Sequence, residues 1–291
     1  MEINGVLIED CVTGGYAMVA TRILLTADTS AWASMAASGL ACALGGDDSA
    51  PTDANIERSL SPLTTPDGRP GTSMLAFAAT PEALLANVHK QLLWVGMNCP
   101  TGAVFSGMED ATNLPIDAAL ERLGGAYARG LEVDGRACLA IPAMDGEFVC
   151  QTQFGYGPAL GGAHLLIFAS ERSACLTAAQ AAADAITGCV NVIVPPPCGV
   201  RRRLPGEDVA TNAALCPTLR TRIKSALHHE TVACLALVVH GLTADDVRHA
   251  LSLAMNSVID LGRDGGILAL TAVNRDLATA AHRFRLQELA A

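Results

Sequence analysis

Three short polar runs carry side chains that could bind or react with a small molecule. Residues 65–71 (T-P-D-G-R-P-G) have the composition of a tight turn, and Arg69 within it could bind a carboxylate through its guanidinium. Residues 145–148 (D-G-E-F) place two carboxylates around a second turn. Asn212 and residues 216–220 (C-P-T-L-R) follow at the end of a long polar segment. Taken singly, the three runs are also explained as two turns and the start of a helix.

The sequence contains no generic nucleotide, hydrolase or metal motif, since it has no P-loop, no G-x-S-x-G elbow and no H-E-x-x-H. None of the ten cysteines forms a C-x-x-C pair, so we interpret them as small apolar side chains in a reducing compartment. His228 and His229 form the one histidine pair and have no further ligand at metal spacing. The glycine-rich stretch 155–162 precedes a predicted strand and is explained by tight turns. We therefore expect no metal site.

Composition and charge exclude several classes of partner. The net charge of −10 and the pI near 5.1 argue against nucleic acid, which requires a basic surface. No apolar run approaches the roughly 20 residues of a membrane-spanning helix, and the start M-E-I-N-G carries no basic signal region. We therefore expect a cytoplasmic protein without a membrane partner. Only 16% of the residues are charged, which favours a homo-oligomer whose contacts cover apolar surface.

The elements that must position the polar runs repeat four times along the chain. Each unit is a short apolar strand, a turn and a capped helix, with strands predicted at 22–27, 73–77, 164–168 and 234–239 and helices ending near 42, 93, 186 and 259. Thr80 before Pro81 and Thr243 three residues before Asp246 are helix-capping signals. Further strands are predicted at 95–97, 137–141, 190–194 and 267–272.

Two strand–helix units and a closing strand in each half predict an α+β fold of two tandem ferredoxin-like (split βαβ) lobes with long inserted loops. We predict the lobes at 1–147 and 148–291, because the turn after strand 137–141 separates them. The segments 45–70 and 195–216 are rich in glycine, proline and polar residues, and we predict that they are ligand-binding loops. A ligand would then lie on these loops and in the cleft between the lobes.

Several blocks taken together, in this order, resemble one enzyme family. They are residues 1–6 (M-E-I-N-G-V) with 8–10 (I-E-D), 65–71, Pro100-Thr101, 145–148, and Thr211-Asn212 with 216–220. The chain is similar in these blocks to formylmethanofuran:tetrahydromethanopterin formyltransferases. The resemblance runs in register from the first residue to about Asn274, and residues 284–289 are similar to the family's end.

The resemblance implies a duplicated ferredoxin-like lobe assembled as a homotetramer. It implies transfer of a formyl group between N5 of tetrahydromethanopterin and the primary amine of methanofuran or methylofuran. Both coenzymes are then cosubstrates, and no bound cofactor or metal is involved. Methylotrophic bacteria have a relative inside a formyltransferase/hydrolase complex, so hydrolase subunits are possible partners.

Formyl transfer makes two chemical demands that the implied site must meet. The attacking amine must lose a proton, and Glu147 or His240 is the candidate base. The tetrahedral intermediate carries an oxyanion, and Asn212, Thr218 or backbone amides are the candidate donors. All four side chains are hypotheses that follow from the resemblance.

The same resemblance suggests that Arg69 and Arg220 hold the acidic tails of the coenzymes. Several positions depart from the family's pattern, among them the segments 93–95 and 273–278. Ala236 stands where the family has a glutamate that takes the amine's proton, and Ala213 stands where an acidic residue follows the asparagine. A second interpretation is therefore a non-catalytic paralogue that serves as a structural or ligand-holding component of a formyltransferase/hydrolase complex. Formyl transfer remains the main prediction.

Overall fold

The computed structural model describes residues 1–45, 52–108, 112–196, 198–204, 210–273 and 277–290. In these ranges the chain is a mixed α/β protein with six α-helices. Two compact units divide it: unit A is Met18–Ala159, and unit B is Met1–Ala17 with Leu160–Ala291. No helix within the described ranges is both long and apolar enough to cross a membrane.

The strands, in chain order, are β1 (Glu2–Ile3), β2 (Val6–Ile8), β3 (Val12–Thr26), β4 (Thr52–Leu60), β5 (Gly71–Ala78), β6 (Ala103–Ser106), β7 (Thr112–Pro115), β8 (Arg129–Val133), β9 (Arg136–Ala143), β10 (Gly146–Gln151), β11 (Gln153–Ala169), β12 (Val192–Ile193), β13 (Val200–Arg201), β14 (Ala233–Gly241), β15 (Ile267–Thr271) and β16 (His282–Arg285). The helices are α1 (Ser30–Gly45), α2 (Pro81–Asn98), α3 (Asp117–Gly124), α4 (Arg172–Ile186), α5 (Ala244–Leu261) and α6 (Leu286–Leu289).

Unit A contains an antiparallel sheet in the order β6–β3–β5–β4, with α1 between β3 and β4 and α2 between β5 and β6. The apolar faces of both helices pack on this sheet, and Leu40, Leu84 and Val88 are fully buried. Helix α2 begins as predicted, because the Thr80 hydroxyl accepts from the Ala83 amide and Pro81 occupies the first turn. Strand β10 extends the sheet parallel to β6 and forms a hairpin with β9.

Unit B contains a second antiparallel sheet, in the order β15–β11–β14–β12, with α4 between β11 and β12 and α5 between β14 and β15. Helix α4 packs through small side chains, so Ala178, Ala179 and Ala182 are completely buried against the sheet. The predicted capping box is present at α5, where Thr243 and Asp246 satisfy each other's backbone amides. Strand β2 adds parallel to β15.

Three predictions of local structure were wrong, and two of them mistook a helix or a strand for another element. Residues 95–97 were predicted as a strand but continue α2, because Val88, Leu92 and Gly96 keep the four-residue spacing of its buried face. The segment 45–70 was predicted as a loop, yet it contains β4, which pairs with β5. The local composition favours a loop, but tertiary packing forms a strand here, and the Glu57 side chain on β4 is almost completely buried from solvent.

The glycine-rich stretch lies inside a strand rather than in tight turns. Gly155 belongs to β11, and a Cβ atom there would lie 1.7 Å from the Met108 carbonyl oxygen. Only glycine permits this close approach of two backbone segments. Gly162 has a φ of +78° at the register shift between Leu160 and Ala163, so this second glycine serves a β-bulge.

The predicted lobe boundary at 147/148 stays a prediction. Strand β10 runs without interruption across it, with Glu147 opposite Pro142 and Phe148 opposite Ile141. The division between the two compact units falls within β3, after Ala17, and within β11, after Ala159. Asn274, where the resemblance ends, lies outside the described residues.

Candidate functional site

The arginine of the T-P-D-G-R-P-G turn is tied to carboxylates of its own unit. Its Nε donates to Oδ2 of Asp67 at 3.0 Å, and Nη1 donates to Oδ1 of Asp28 at 3.1 Å. Thr26 donates to the same Asp67 carboxylate at 2.6 Å. Arg69 therefore binds carboxylates, as its type suggests, but those in contact with it belong to the protein. Its predicted role in holding a coenzyme tail stays a prediction.

Thr101 joins three of the sequence blocks into one network within unit A. Its carbonyl accepts from Nη1 of Arg69, and its amide donates to Oδ2 of Asp145 at 2.6 Å. Its hydroxyl accepts from the Asp28 amide at 3.1 Å. Thr101 has a φ of +61°, which is costly for a β-branched residue. Such strain persists only where the surroundings hold it, and here hydrogen bonds restrain the amide, the carbonyl and the hydroxyl.

Two open grooves adjoin this network on unit A. One has a volume of about 350 Å³ and is lined by Trp32, Met35 and Trp94. The other has a volume of about 680 Å³ and includes Met144 and Asp145 in its walls. Both grooves share residues 98–100. Their sizes fit a small organic ligand, and their largely apolar walls could contact its apolar parts.

Glu147, a predicted base, lies on β10 and forms a two-pronged ion pair with Arg129. The hydrogen bonds from this guanidinium lower the pKa of the Glu147 carboxyl. A carboxylate held in this way is a weaker proton acceptor. The pairing therefore opposes the predicted role, which stays a prediction.

His240, the other predicted base, is buried near the end of β14. The Gly162 amide donates to its Nδ1 at 2.9 Å. In the neutral ring the proton then resides on Nε2, and the lone pair of Nδ1 is already bound. His240 would have to break this bond before it could take a proton at Nδ1. Its predicted role as base also stays a prediction.

The predicted oxyanion donors lie on the segment before β14. The Asn212 side chain accepts from the Leu204 amide at 2.9 Å and donates to the Leu204 carbonyl at 3.1 Å. Both ends of this amide therefore hold the local chain. Thr218 is exposed on the short helical turn Pro217–Leu219. Asn212 and Ala236 also line a small, partly open pocket of about 20 Å³, which has room for about one water molecule.

Arg220 is bound to backbone carbonyls of the turn that follows it. Nη1 donates to the His229 carbonyl at 2.6 Å, and Nη2 donates to the carbonyls of His228 at 2.9 Å and Thr231 at 2.6 Å. The C-P-T-L-R arginine thus fixes the conformation of residues 228–231. The predicted role in binding a coenzyme tail stays a prediction.

Sequence reasoning missed an imidazole–carboxylate pair in unit B. Nε2 of His228 lies 2.8 Å from Oε1 of Glu9, and the Thr271 hydroxyl donates to the second carboxylate oxygen. Cys11 lies beside this group, with its Sγ 3.6 Å from the Thr271 hydroxyl. Glu9 belongs to the N-terminal I-E-D block, but no sequence signal joins residues that are 219 positions apart.

The family model for formylmethanofuran–tetrahydromethanopterin formyltransferase matches residues 1–143, and the model for the proximal lobe of these enzymes matches 146–289. The chain is 33% identical, over the whole of both proteins, to the formylmethanofuran–tetrahydromethanopterin formyltransferase of Methylobacillus flagellatus. It is 32% identical to one component of the formyltransferase/hydrolase complex of Methylorubrum extorquens, across 99% of this chain and 96% of that one.

Solved structures agree with the sequence comparison. The formyltransferase of Methanosarcina barkeri superposes with a TM-score of 0.90 at 27% identity, covering 99% of this chain and all of that one. A chain of the Methylorubrum extorquens formyltransferase/hydrolase complex, crystallised with methylofuran, gives a TM-score of 0.92 at 31% identity, with 99% and 98% covered. Fold and sequence together define a formyl-group transferase scaffold. The chain belongs to the formylmethanofuran–tetrahydromethanopterin formyltransferase family.

Proposed function

We propose that this chain transfers a formyl group between N5 of tetrahydromethanopterin and the primary amine of methanofuran or methylofuran. The observation that carries the proposal is the similarity to the Methylobacillus flagellatus formyltransferase along the whole of both chains. The Methylorubrum extorquens structure with methylofuran supports an aminomethyl-furan as the partner substrate. The two coenzymes act as cosubstrates, since the formyl group passes directly between their nitrogens.

The two strand orders support the predicted pair of ferredoxin-like lobes. The order β6–β3–β5–β4 in unit A and the order β15–β11–β14–β12 in unit B place corresponding strands in corresponding positions. In both, the helices follow the first and third strands of the four, as in a split βαβ arrangement.

The exposed apolar side chains support an assembly with other chains. Trp32, Met35 and Trp94 line one groove and are 41%, 52% and 72% exposed, so they form a contiguous apolar patch of the kind that other chains cover. The similarity to a component of the Methylorubrum extorquens complex supports hydrolase subunits as partners. A homotetramer and a cytoplasmic location remain predictions.

The proposed reaction requires side chains and amides held in the right positions around the formyl group. The amine attacks the formyl carbon, an oxyanion forms, and the bond to the other nitrogen breaks. Asn212 and Thr218 are proposed as donors near the oxyanion, and Arg69 and Arg220 as contacts for acidic tails. Glu147 and His240 remain proposed bases. The hydrogen bond from Arg129 to Glu147 and the one from the Gly162 amide to His240 oppose this role.

The purified chain with formyl-tetrahydromethanopterin and methanofuran tests the proposal. We expect a time-dependent change in pterin absorbance that requires both coenzymes. Coenzyme binding without transfer would contradict the proposal and favour a ligand-holding paralogue. The variant Glu147→Gln separates the bases: loss of turnover would establish Glu147, and unchanged turnover would remove it.

A further inference from the structure

Formyl transfer requires a group that takes a proton from the attacking amine and returns one to the departing nitrogen. In His240 the Nδ1 lone pair already accepts from the Gly162 amide, and Glu147 is held by Arg129. Both of these side chains would have to exchange a bond made in the folded protein for a bond to substrate. An imidazole is a better base when one ring nitrogen has a free lone pair and the other is hydrogen-bonded to a partner.

The pair formed by His228 and Glu9 has this arrangement. A carboxylate only accepts hydrogen bonds, so the ring nitrogen at 2.8 Å from Glu9, Nε2, carries the proton and donates it. The lone pair then resides on Nδ1. Within the described ranges no hydrogen bond to Nδ1 of His228 is present. The carboxylate sets the tautomer and would stabilise the imidazolium that forms when Nδ1 is protonated, as in other carboxylate–histidine catalysts.

The pair is held in place from both sides. The Thr271 hydroxyl donates to the second oxygen of Glu9, and Arg220 fixes the His228 carbonyl at 2.9 Å. The Phe168 ring and the imidazole make an edge-to-face contact, with ring centroids 5.8 Å apart. A base must be preorganised in this way to act without a large reorganisation cost.

The pair is also accessible to a ligand. The His228 side chain is 35% exposed and the Glu9 side chain is 34% exposed. Phe168 belongs to the apolar cluster that includes Ala236, so the imidazole borders the sheet face on which Ala236 lies. Glu147, by contrast, lies in unit A on a hairpin strand.

We infer that Nδ1 of His228 is the proton acceptor of the formyl transfer, with Glu9, Thr271 and Arg220 as its positioning residues; this rests on the proposed function. The neutral amine's lone pair forms a bond to the formyl carbon while the carbonyl π pair moves to oxygen. Nδ1 takes a proton from the new ammonium nitrogen. When C=O re-forms, the C–N5 bond breaks and its electron pair stays on N5 of the pterin. The proton then passes from Nδ1 to N5, so no external acid or oxidant is consumed.

The test compares His228→Gln with the matched control His229→Gln, whose parent side chain is 90% exposed on the same turn. We expect His228→Gln to lose about 100-fold in kcat, the usual contribution of a general base, with KM for both coenzymes changed less than about threefold. His229→Gln should keep the kcat of the wild type. A His228→Ala variant should regain turnover when imidazole is added, because the small molecule can occupy the vacated position beside Glu9.

Thermal unfolding of each variant separates a chemical effect from a folding defect. Wild-type turnover in His228→Gln would overturn the assignment. So would a loss in His228→Ala that imidazole does not restore while the unfolding temperature is unchanged. If the wild type itself transfers no formyl group, the proposed function fails and this assignment fails with it. If the wild type transfers the formyl group and the His228 variants are equally active, the proposed function stands and another group is the base.

Discussion

The guanidinium of Arg69 donates a hydrogen bond to the carbonyl of Thr101, 32 positions further along the chain. The same guanidinium binds Asp28 and Asp67, so one side chain holds a strained peptide and two acidic residues together. We expect Arg69→Met to lower the free energy of unfolding by about 2 kcal/mol, because it removes several charge-assisted hydrogen bonds. Denaturant titration measures this loss, with exposed Arg58→Met as the control.

Thr101→Gly in the Arg69→Met background tests whether the strain at Thr101 is what Arg69 restrains. Glycine adopts a φ of +61° without strain, so Thr101→Gly relieves strain in the wild type. In the Arg69→Met variant the peptide is free to relax, so the same change relieves less strain there and should cost more than in the wild type. A fully additive pair of changes would contradict the coupling. If Arg69 instead holds a coenzyme tail, KM for that coenzyme should rise while stability changes little.

Gly155→Ala should be among the most damaging single changes in unit A. Its new methyl group would meet the Met108 carbonyl oxygen at 1.7 Å, so the two backbone segments would have to separate. We expect a loss of about 3 kcal/mol in unfolding free energy. Gly157→Ala is the matched control, because there the nearest atom is the flexible end of Met108 at 3.6 Å, and its loss should stay below about 1 kcal/mol. Equal unfolding midpoints for both variants would refute the close-approach explanation.

His164 should make the protein less stable as the pH falls below neutrality. Burial lowers its pKa from the ordinary 6.5, although its ring is close to the carbonyls of Gly162 and Val273. About one pH unit above the ordinary pKa of 6.5 the ring is neutral in both states and its contribution is complete. Below that pH the unfolded chain binds a proton that the folded chain does not, so stability falls until the lowered folded-state pKa is reached.

The measurement is the free energy of unfolding of the wild type and His164→Gln at several pH values. The stability of the wild type relative to the variant should fall by up to about 1.4 kcal/mol per pH unit as the pH drops below 6.5. It should be constant above about pH 7.5, where the ring is neutral in both states. A difference that does not depend on pH would show that His164 is not held neutral by its burial.

Arg220→Met should lower kcat more than it raises KM. The guanidinium fixes the carbonyls of His228, His229 and Thr231, so its loss would let the imidazole of His228 move. We expect a fall of about tenfold in kcat with KM changed less than about twofold, because small misplacements of a base are costly. The exposed neighbour Arg222→Met serves as the control. A rise in KM with unchanged kcat would instead support the coenzyme-tail role.

Local signals predicted the helices α1, α2, α4 and α5 and at least part of seven strands, whereas α3, α6 and the other strands were not predicted. Thr80 before Pro81 and the Thr243–Asp246 capping box mark the starts of α2 and α5, because capping depends on residues within one turn. Strand β4 was missed because its stability comes from pairing with β5 and from the buried Arg22–Glu57 ion pair, both of which are long-range. Local composition alone favours a loop there.

The sequence by itself determined the family, the helix starts and the polar runs, because each of these depends on residues that are close together or in a recognisable order. Only the tertiary structure decided which polar groups touch. It joined Arg69 to Thr101, bound His240 to the Gly162 amide, and brought His228 to Glu9. Hydrogen-bond partners are set by the packing of strands that are distant in sequence, and a pair 219 residues apart leaves no local trace.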